Sequence, residues 1–225
     1  MTSVVPARRF FAAPFRAQTY RSLAYLALAF PLGLAYFVGL TVGGSLGVGL
    51  FITVVGIPIL IATLAGATVL AGFEAYLAKH LLGVESPSPE LVREFDAGDG
   101  RVLPGDGMVD SAKRLVTAPS TWRSVALLLT KFVFGTVSFV ALTVTGALGA
   151  VMLVAPFVYD GTPGWVGVTE SQYRIGSWTV ETLPEAVAVA AAGVVFAFVA
   201  LNLLNGFAAV QARYTAALLG DGDSA

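Results

Sequence analysis

The stretch RSLAYLALAFPLGLAYFVGLTVGGSLGVGL, residues 21–50, returns 102 residues later in the chain as RSVALLLTKFVFGTVSFVALTVTGALGAVM, residues 123–152. The two stretches align without a gap, and 14 of the 30 positions are identical. Apolar bias inflates such agreement, but polar residues also stand in register, as Arg21 and Arg123 do. Because repeated sequence marks duplicated structural units, the pattern predicts a chain built from two similar halves.

The likeness continues on both sides of this stretch. Upstream, ARRFFAAP at 7–14 corresponds to AKRLVTAP at 112–119, and downstream LLG at 81–83 recurs as LLG at 218–220. Each repeat therefore consists of a basic segment, a first apolar helix, an outer connection and a second apolar helix.

Composition and charge spacing give the fold class. Of the 225 residues, 56% are hydrophobic and 12% are charged, whereas soluble domains average about 25% charged. Residues 22–73 carry no charge, and as one helix they would extend about 78 Å. A bilayer core is about 30 Å thick, so this run must cross twice. The uncharged runs 132–159 and 186–212 each cross once. The sequence predicts an all-α membrane protein with four transmembrane helices.

Two helices per repeat return the chain to its starting side, so we expect two parallel-repeat helical hairpins. The predicted segments are a basic interfacial segment at 1–21, a first hairpin at 22–80, a cytoplasmic linker with an interfacial helix at 81–121, a second hairpin at 122–220 and a tail at 221–225.

Lysine and arginine predict the orientation. They are concentrated before the first helix and in the central segment, while the first outer turn has none and the second outer loop has only Arg174. By the positive-inside rule, both termini face the cytoplasm of a multi-pass plasma-membrane protein.

The two outer connections differ in length. Residues 44–49 are expected to form a tight turn, while 156–185 form a long loop whose YRIGSWTV segment alternates as a short hairpin does. Thr182 and Glu185 fit a capping box that begins the fourth helix. Long loops are usually functional, so aromatic and charged loop residues are candidate stimulus contacts, with an aromatic belt at the membrane interface as the alternative. They are Tyr159, Asp160, Trp165, Tyr173, Arg174 and Trp178.

Glycines cluster near the outer end of each repeat's first helix. Gly39, Gly43 and Gly47 are spaced by four and allow close helix contact, and Gly44, Gly47 and Gly49 loosen the backbone for reversal. The candidates for helix packing and turning are Gly39, Gly43, Gly44 and Gly47, with Gly146 and Gly149 in the copy.

Ionisable and polar groups within the apolar helices are the other candidates, because desolvating a charge is costly. Lys131 can pair with Glu74 or extend its side chain to the cytoplasmic interface, and the second interpretation is favoured because Lys131 lies in the inner half of its helix. Glu74 lies near the cytoplasmic end of the second helix, where a charged residue usually anchors the helix end at the membrane interface. Asn202 and Asn205 are expected to form interhelical hydrogen bonds.

No catalytic motif is present, so the sequence predicts no catalytic residue and no enzyme. Cysteine is absent and His80 is the single histidine, and we therefore expect no metal site and no cofactor. No basic stripe suitable for nucleic acid is found.

The pattern RSLAYLALAFPLGLAYF, a glycine-rich turn, GIPIL, and a helix ending FEAYLAKHLLG before a Trp-Arg helix start resembles the putative sensor domain. That domain is a four-helix membrane module of actinobacterial and archaeal histidine kinases that also occurs freestanding. The resemblance covers roughly residues 10–220 and implies signal input with output through helices. Arginine often follows the glutamate in that family, whereas Ala75 follows Glu74 here.

We therefore expect a non-enzymatic sensory module of a two-component system, which perceives an unknown stimulus and passes it to a cytoplasmic signalling partner. The expected partners are the lipid bilayer, a separate histidine kinase or other signalling protein, and further copies of the chain. A small transporter or channel subunit, or a structural accessory of a membrane complex, is the alternative.

Overall fold

The structure, a computed structural model, describes residues 12–53, 55–84, 115–159, 173–175 and 178–220. In these ranges the chain forms four long helices. They are α1 (Ala17–Gly49), α2 (Gly56–Leu82), α3 (Pro119–Val158) and α4 (Leu183–Gly220). The shortest, α2, has 27 residues and is about 40 Å long. All four are long and apolar enough to cross a membrane, as the sequence predicts.

Short elements lie at the ends of the long helices. A 3-10 turn at Ala13–Phe15 precedes α1, and another at Phe51–Thr53 lies between α1 and α2. The strands β1 (Tyr173–Ile175) and β2 (Trp178–Val180) pair in antiparallel register before α4, which confirms the hairpin predicted from YRIGSWTV.

The predicted capping box at the start of α4 is also confirmed on its carboxylate side. The backbone N–H groups of Glu181 and Thr182 donate to Oε2 of Glu185 at 3.0 and 3.2 Å. Glu185 therefore satisfies backbone donors that would otherwise have no partner at the helix end.

The predicted tight turn at residues 44–49 is wrong. Helix α1 continues through these glycines to Gly49, and the chain reverses between Gly49 and Gly56, where the Gly56 N–H donates to the Leu50 carbonyl at 3.1 Å. Apolar surroundings offer the backbone no water partner, so keeping helical hydrogen bonds outweighs the weak helix propensity of glycine. For the same reason α3 continues past the predicted loop start at residue 156 and includes Pro156.

The described chain forms two compact units. One comprises Met1–Thr19 with Val140–Asn205, the other Tyr20–Phe139 with Gly206–Ala225. In the first unit, Val180 of β2 packs with apolar residues of α3 and α4. These are Ala155, Ala186 and Val189, with Met152 and Tyr159 at the edge.

In the second unit, α1, α2 and α3 meet around Tyr36, Ala67 and Leu128. Helices α1 and α3 approach closely at Gly33 and Gly135. A side chain at Gly33 would meet the backbone of α3 at Lys131, and one at Gly135 would meet the backbone of α1 at Ala29.

Stacked phenylalanine rings flank this approach. Phe30 stacks on Phe139 with ring centroids 4.7 Å apart, and Phe37 stacks on Phe132 at 4.6 Å. Such offset stacking adds to the area buried by the rings, so α1 and α3 are held on both sides of the glycines.

The predicted packing glycines have different surroundings. Gly43 and Gly47 of α1 lie against Thr63 and Leu60 of α2, and Gly149 touches Phe196. By contrast, Gly39, Gly44 and Gly146 have open space where a side chain would stand. The close approach of α1 to α3 thus uses Gly33 and Gly135, which the sequence showed as a repeated pair but did not mark as a contact.

We expect Gly135→Ala to lower stability by about 1–3 kcal/mol, because the new methyl group overlaps the α1 backbone. The matched control is Gly146→Ala on the same helix, which meets no atom and gains helix propensity. Thermal unfolding of both variants in lipid nanodiscs measures the difference. Equal melting temperatures would contradict the close approach.

Candidate functional site

A buried polar cluster lies among α1, α2 and α3 of the second unit. It contains Tyr25 and Tyr36 from α1, Glu74 from α2 and Lys131 from α3. The two tyrosines are 11 residues apart, about three helical turns, and therefore share one face of α1. Their apolar neighbours exclude water, so the polar groups of this cluster must satisfy one another.

The central contact is an ion pair between α2 and α3. The Lys131 ammonium Nζ lies 2.7 Å from Oε2 of Glu74, and the two side chains are 3% and 0% exposed. Nζ also donates a hydrogen bond to the Tyr25 hydroxyl at 2.7 Å and lies 4.1 Å from the centroid of that ring. Lys131 thus contacts both other helices of the cluster.

This geometry corrects two expectations. Lys131 does not extend to an interface, and Glu74 does not anchor a helix end in water, because both are buried against each other. The Glu74 carboxylate and the Tyr25 hydroxyl lie within hydrogen-bonding distance of the ammonium and offset the cost of its desolvation. Lys131 therefore does not need water at the interface as a partner. The pairing that the sequence left as the less favoured alternative is the one observed.

The cluster retains unused hydrogen-bonding capacity. Within the described part of the chain, neither oxygen of Glu74 has an aligned hydrogen bond, so its contact with Lys131 is an ion pair by distance. The buried Tyr36 hydroxyl also lacks a hydrogen-bond partner among these residues. Buried groups of this kind are costly unless paired, so the cluster is sensitive to small helix shifts.

A neutral polar contact joins α3 and α4 in the same unit. Nε2 of Gln211 donates to Oγ of Ser138 at 2.8 Å, and Ser138 in turn donates to the Phe134 carbonyl at 2.7 Å. Sequence reasoning missed Gln211, Tyr25 and Tyr36. The signal for Gln211 was present, because Glu74 and Gln211 each stand seven residues before an LLG triplet.

Both predicted asparagines donate hydrogen bonds. In the first unit, Asn205 donates to Oγ1 of Thr19 at 3.0 Å, and Thr19 donates to the Ala13 carbonyl at 2.6 Å. This is the expected interhelical hydrogen bond. The Asn202 amide donates to the Phe198 carbonyl of its own helix at 2.7 Å.

The predicted stimulus residues lie mainly around the β-hairpin. Tyr159 is half-buried beside the apolar cluster that contains Val180. Backbone pairing joins Tyr173 to Val180 and Arg174 to Thr179, and Trp178 pairs with Ile175. Asp160 and Trp165 lie outside the described residues. Their contact with a stimulus stays a prediction.

A family model described as Putative sensor matches residues 25–219 of the chain. The matched region includes every helix and strand described above except the first residues of α1 and the last of α4. Comparisons with curated proteins and with solved structures find no match.

We expect Lys131→Met to destabilise the protein by about 3–5 kcal/mol, because it leaves the Glu74 carboxylate buried without its counter-charge. Adding Glu74→Gln should recover more than half of that loss, since no net charge then remains in the cluster. Thermal unfolding of the two single variants and the double variant gives the coupling energy. Strictly additive losses would show that the two residues do not interact.

Proposed function

Because the chain belongs to the Putative sensor family, we propose that it is a non-enzymatic integral membrane module that receives a signal. In this proposal it perceives a stimulus and transmits it, through movement of its helices, to a separate signalling protein in the cytoplasm. A histidine kinase of a two-component system is one such partner.

The ion pair between Glu74 and Lys131 is the observation that supports transmission. Ionisable groups within apolar helices are costly and usually serve a function. This pair connects α2 to α3, and Tyr25 adds α1. A shift of one helix changes the distance between two buried charges, so the contact favours discrete helix arrangements over gradual ones.

The direction of transmission follows from charge. The predicted cytoplasmic ends carry exposed basic residues, among them Lys79 and His80 at the end of α2 and Arg213 in α4. The residues of the β-hairpin and its loop would lie on the opposite side of the membrane and receive the stimulus. Output would then leave through the helix ends near Lys79 and Arg213.

We also propose that the two hairpins are internal repeats with equivalent structures. The ring stacking and the glycine contacts between α1 and α3 support this, because each has a counterpart. Phe30 on Phe139 becomes Phe132 on Phe37 when each residue is replaced by its counterpart 102 positions away, and Gly33 and Gly135 exchange in the same way.

Burial supports the same relation. Eight residues of α1 are buried, and each counterpart 102 residues later in α3 is buried as well. The α1 residues are Thr19, Ser22, Tyr25, Leu26, Ala29, Gly33, Tyr36 and Gly47.

A small transporter or channel subunit remains the second candidate, since a buried Lys–Glu pair also suits an ion pathway. A structural accessory of a membrane complex would need the pair only for packing. Measurements of flux and of partner activity separate these functions from signal input.

A photoreactive amino acid at His80, an exposed position near the end of α2, should crosslink to the cytoplasmic signalling partner. The same probe at Ile52, 92% exposed before the start of α2, is the control and should not. Capture of the same protein from both positions would contradict a cytoplasmic output surface.

With that partner in proteoliposomes, Lys131→Met should change its autophosphorylation rate at least about threefold, because the buried pair no longer restrains α2 and α3. The control is Val137→Met, an exposed apolar position on the same helix. An unchanged rate with folded Lys131→Met protein would remove the ion pair from signalling.

Proteoliposomes of the protein alone should show no more ion flux than those of the Lys131→Met variant. Wild-type flux that is abolished by Lys131→Met, but not by Val137→Met, would instead support the transporter.

A further inference from the structure

The proposed repeat gives the ion pair between Glu74 and Lys131 an equivalent pair of positions elsewhere in the chain. The counterpart of Lys131, 102 residues earlier, is Ala29. The counterpart of Glu74, counted from the LLG triplets, is Gln211. Ala29 and Gln211 are each 1% exposed, so both places are in the interior and differ in chemistry rather than in burial.

The register between α2 and α4 rests on more than the LLG triplets. Gly56 lies against the backbone at Leu50, and Gly193 lies against Met152, which is the counterpart of Leu50. Gln211 donates a hydrogen bond to Ser138, which is the counterpart of Tyr36, and Tyr36 is buried on α1 as Ser138 is on α3. Contacts within the two hairpins thus fall at corresponding positions.

We propose that, among the described residues, a buried ion pair joins the two hairpins at the contact between α2 and α3, while the equivalent α1–α4 position, with Ala29 and Gln211, carries no charge. This inference rests on the repeat relation proposed above. In the signal-input role, the uncharged position is where the hairpins separate most easily, because no buried ion pair has to be broken there.

Three residues of the cluster have counterparts that cannot form an ion pair. Lys131 is replaced by alanine at position 29, and Tyr25, which accepts a hydrogen bond from the ammonium, corresponds to Leu127. Gln211 is neutral, and its Nε2 donates a hydrogen bond to Ser138 within its own hairpin. At the position of Ala29 and Gln211, the polar contact therefore lies within one hairpin, and no ion pair joins the two hairpins there.

The first test compares the same change at the two equivalent positions, Glu74→Leu and Gln211→Leu, in the full chain in lipid nanodiscs. We expect Glu74→Leu to lower Tm by about 10 °C, because Lys131 stays buried without a counter-charge. Gln211→Leu should lower it by less than about 3 °C, because Ser138 keeps its bond to Phe134. The proposal is supported equally if Glu74→Leu yields no folded protein while Gln211→Leu folds. Equal decreases of Tm in the two variants overturn it.

The second test introduces a charged pair at the empty place. Gln211→Glu alone should lower Tm by several degrees, and adding Ala29→Lys should restore at least half of the loss. The control adds Ala27→Lys instead, an exposed position of α1, which should restore nothing. Equal effects of Ala29→Lys and Ala27→Lys overturn the equivalence of the two places. Both readouts are stabilities, so a failure here is distinguishable from a failure of signalling, which partner phosphorylation measures.

Discussion

The close approach of α1 and α3 at Gly33 and Gly135 is the contact on which the polar cluster depends. Gly33 faces the backbone of Lys131 itself, so the residue that carries the ammonium stands at the approach. From there Nζ lies within 2.7 Å of both the Glu74 carboxylate and the Tyr25 hydroxyl. A larger residue at either glycine would move α3 away, and the shortest contacts of the cluster would lengthen first.

Within an apolar environment, such a cluster selects helix partners more than it adds stability. Lipid tails are as apolar as leucine, so the hydrophobic effect does not decide which helices pack together. A buried ion pair gains little net free energy, but separating one partner from the other is expensive. Lys131 therefore specifies α2 and α1 as the neighbours of α3. In a family described as a sensor, a fixed set of helix neighbours suits a sensory role.

Much of the fold could be predicted because it depends on short-range patterns. Uncharged runs longer than a bilayer gave the four helices, and the alternation in YRIGSWTV gave the β-hairpin. The start of α4 followed from Thr182 and Glu185, whose spacing is set by one helical turn. The turn at residues 44–49 was wrong because glycine is a weak signal where the backbone has no water to bond.

The candidate site was only partly predictable. Lys131 and Glu74 were recognisable as costly residues, but their pairing was not, because a lysine in the inner half of a helix also has a route to the interface. Tyr25 and Tyr36 look like ordinary apolar-helix residues until the helices are brought together. Of the packing glycines, Gly39 has the four-residue spacing but faces open space.

The sequence by itself determined the four helices that are long and apolar enough to cross a membrane and their order, since charge spacing and hydropathy are properties of the chain alone. Only the tertiary structure decided that Lys131 meets Glu74 and that Gly33 and Gly135 are the glycines where α1 meets α3. The physical reason is that both depend on which faces of separate helices meet, and burial of an apolar face gives no preference among partners that are all apolar.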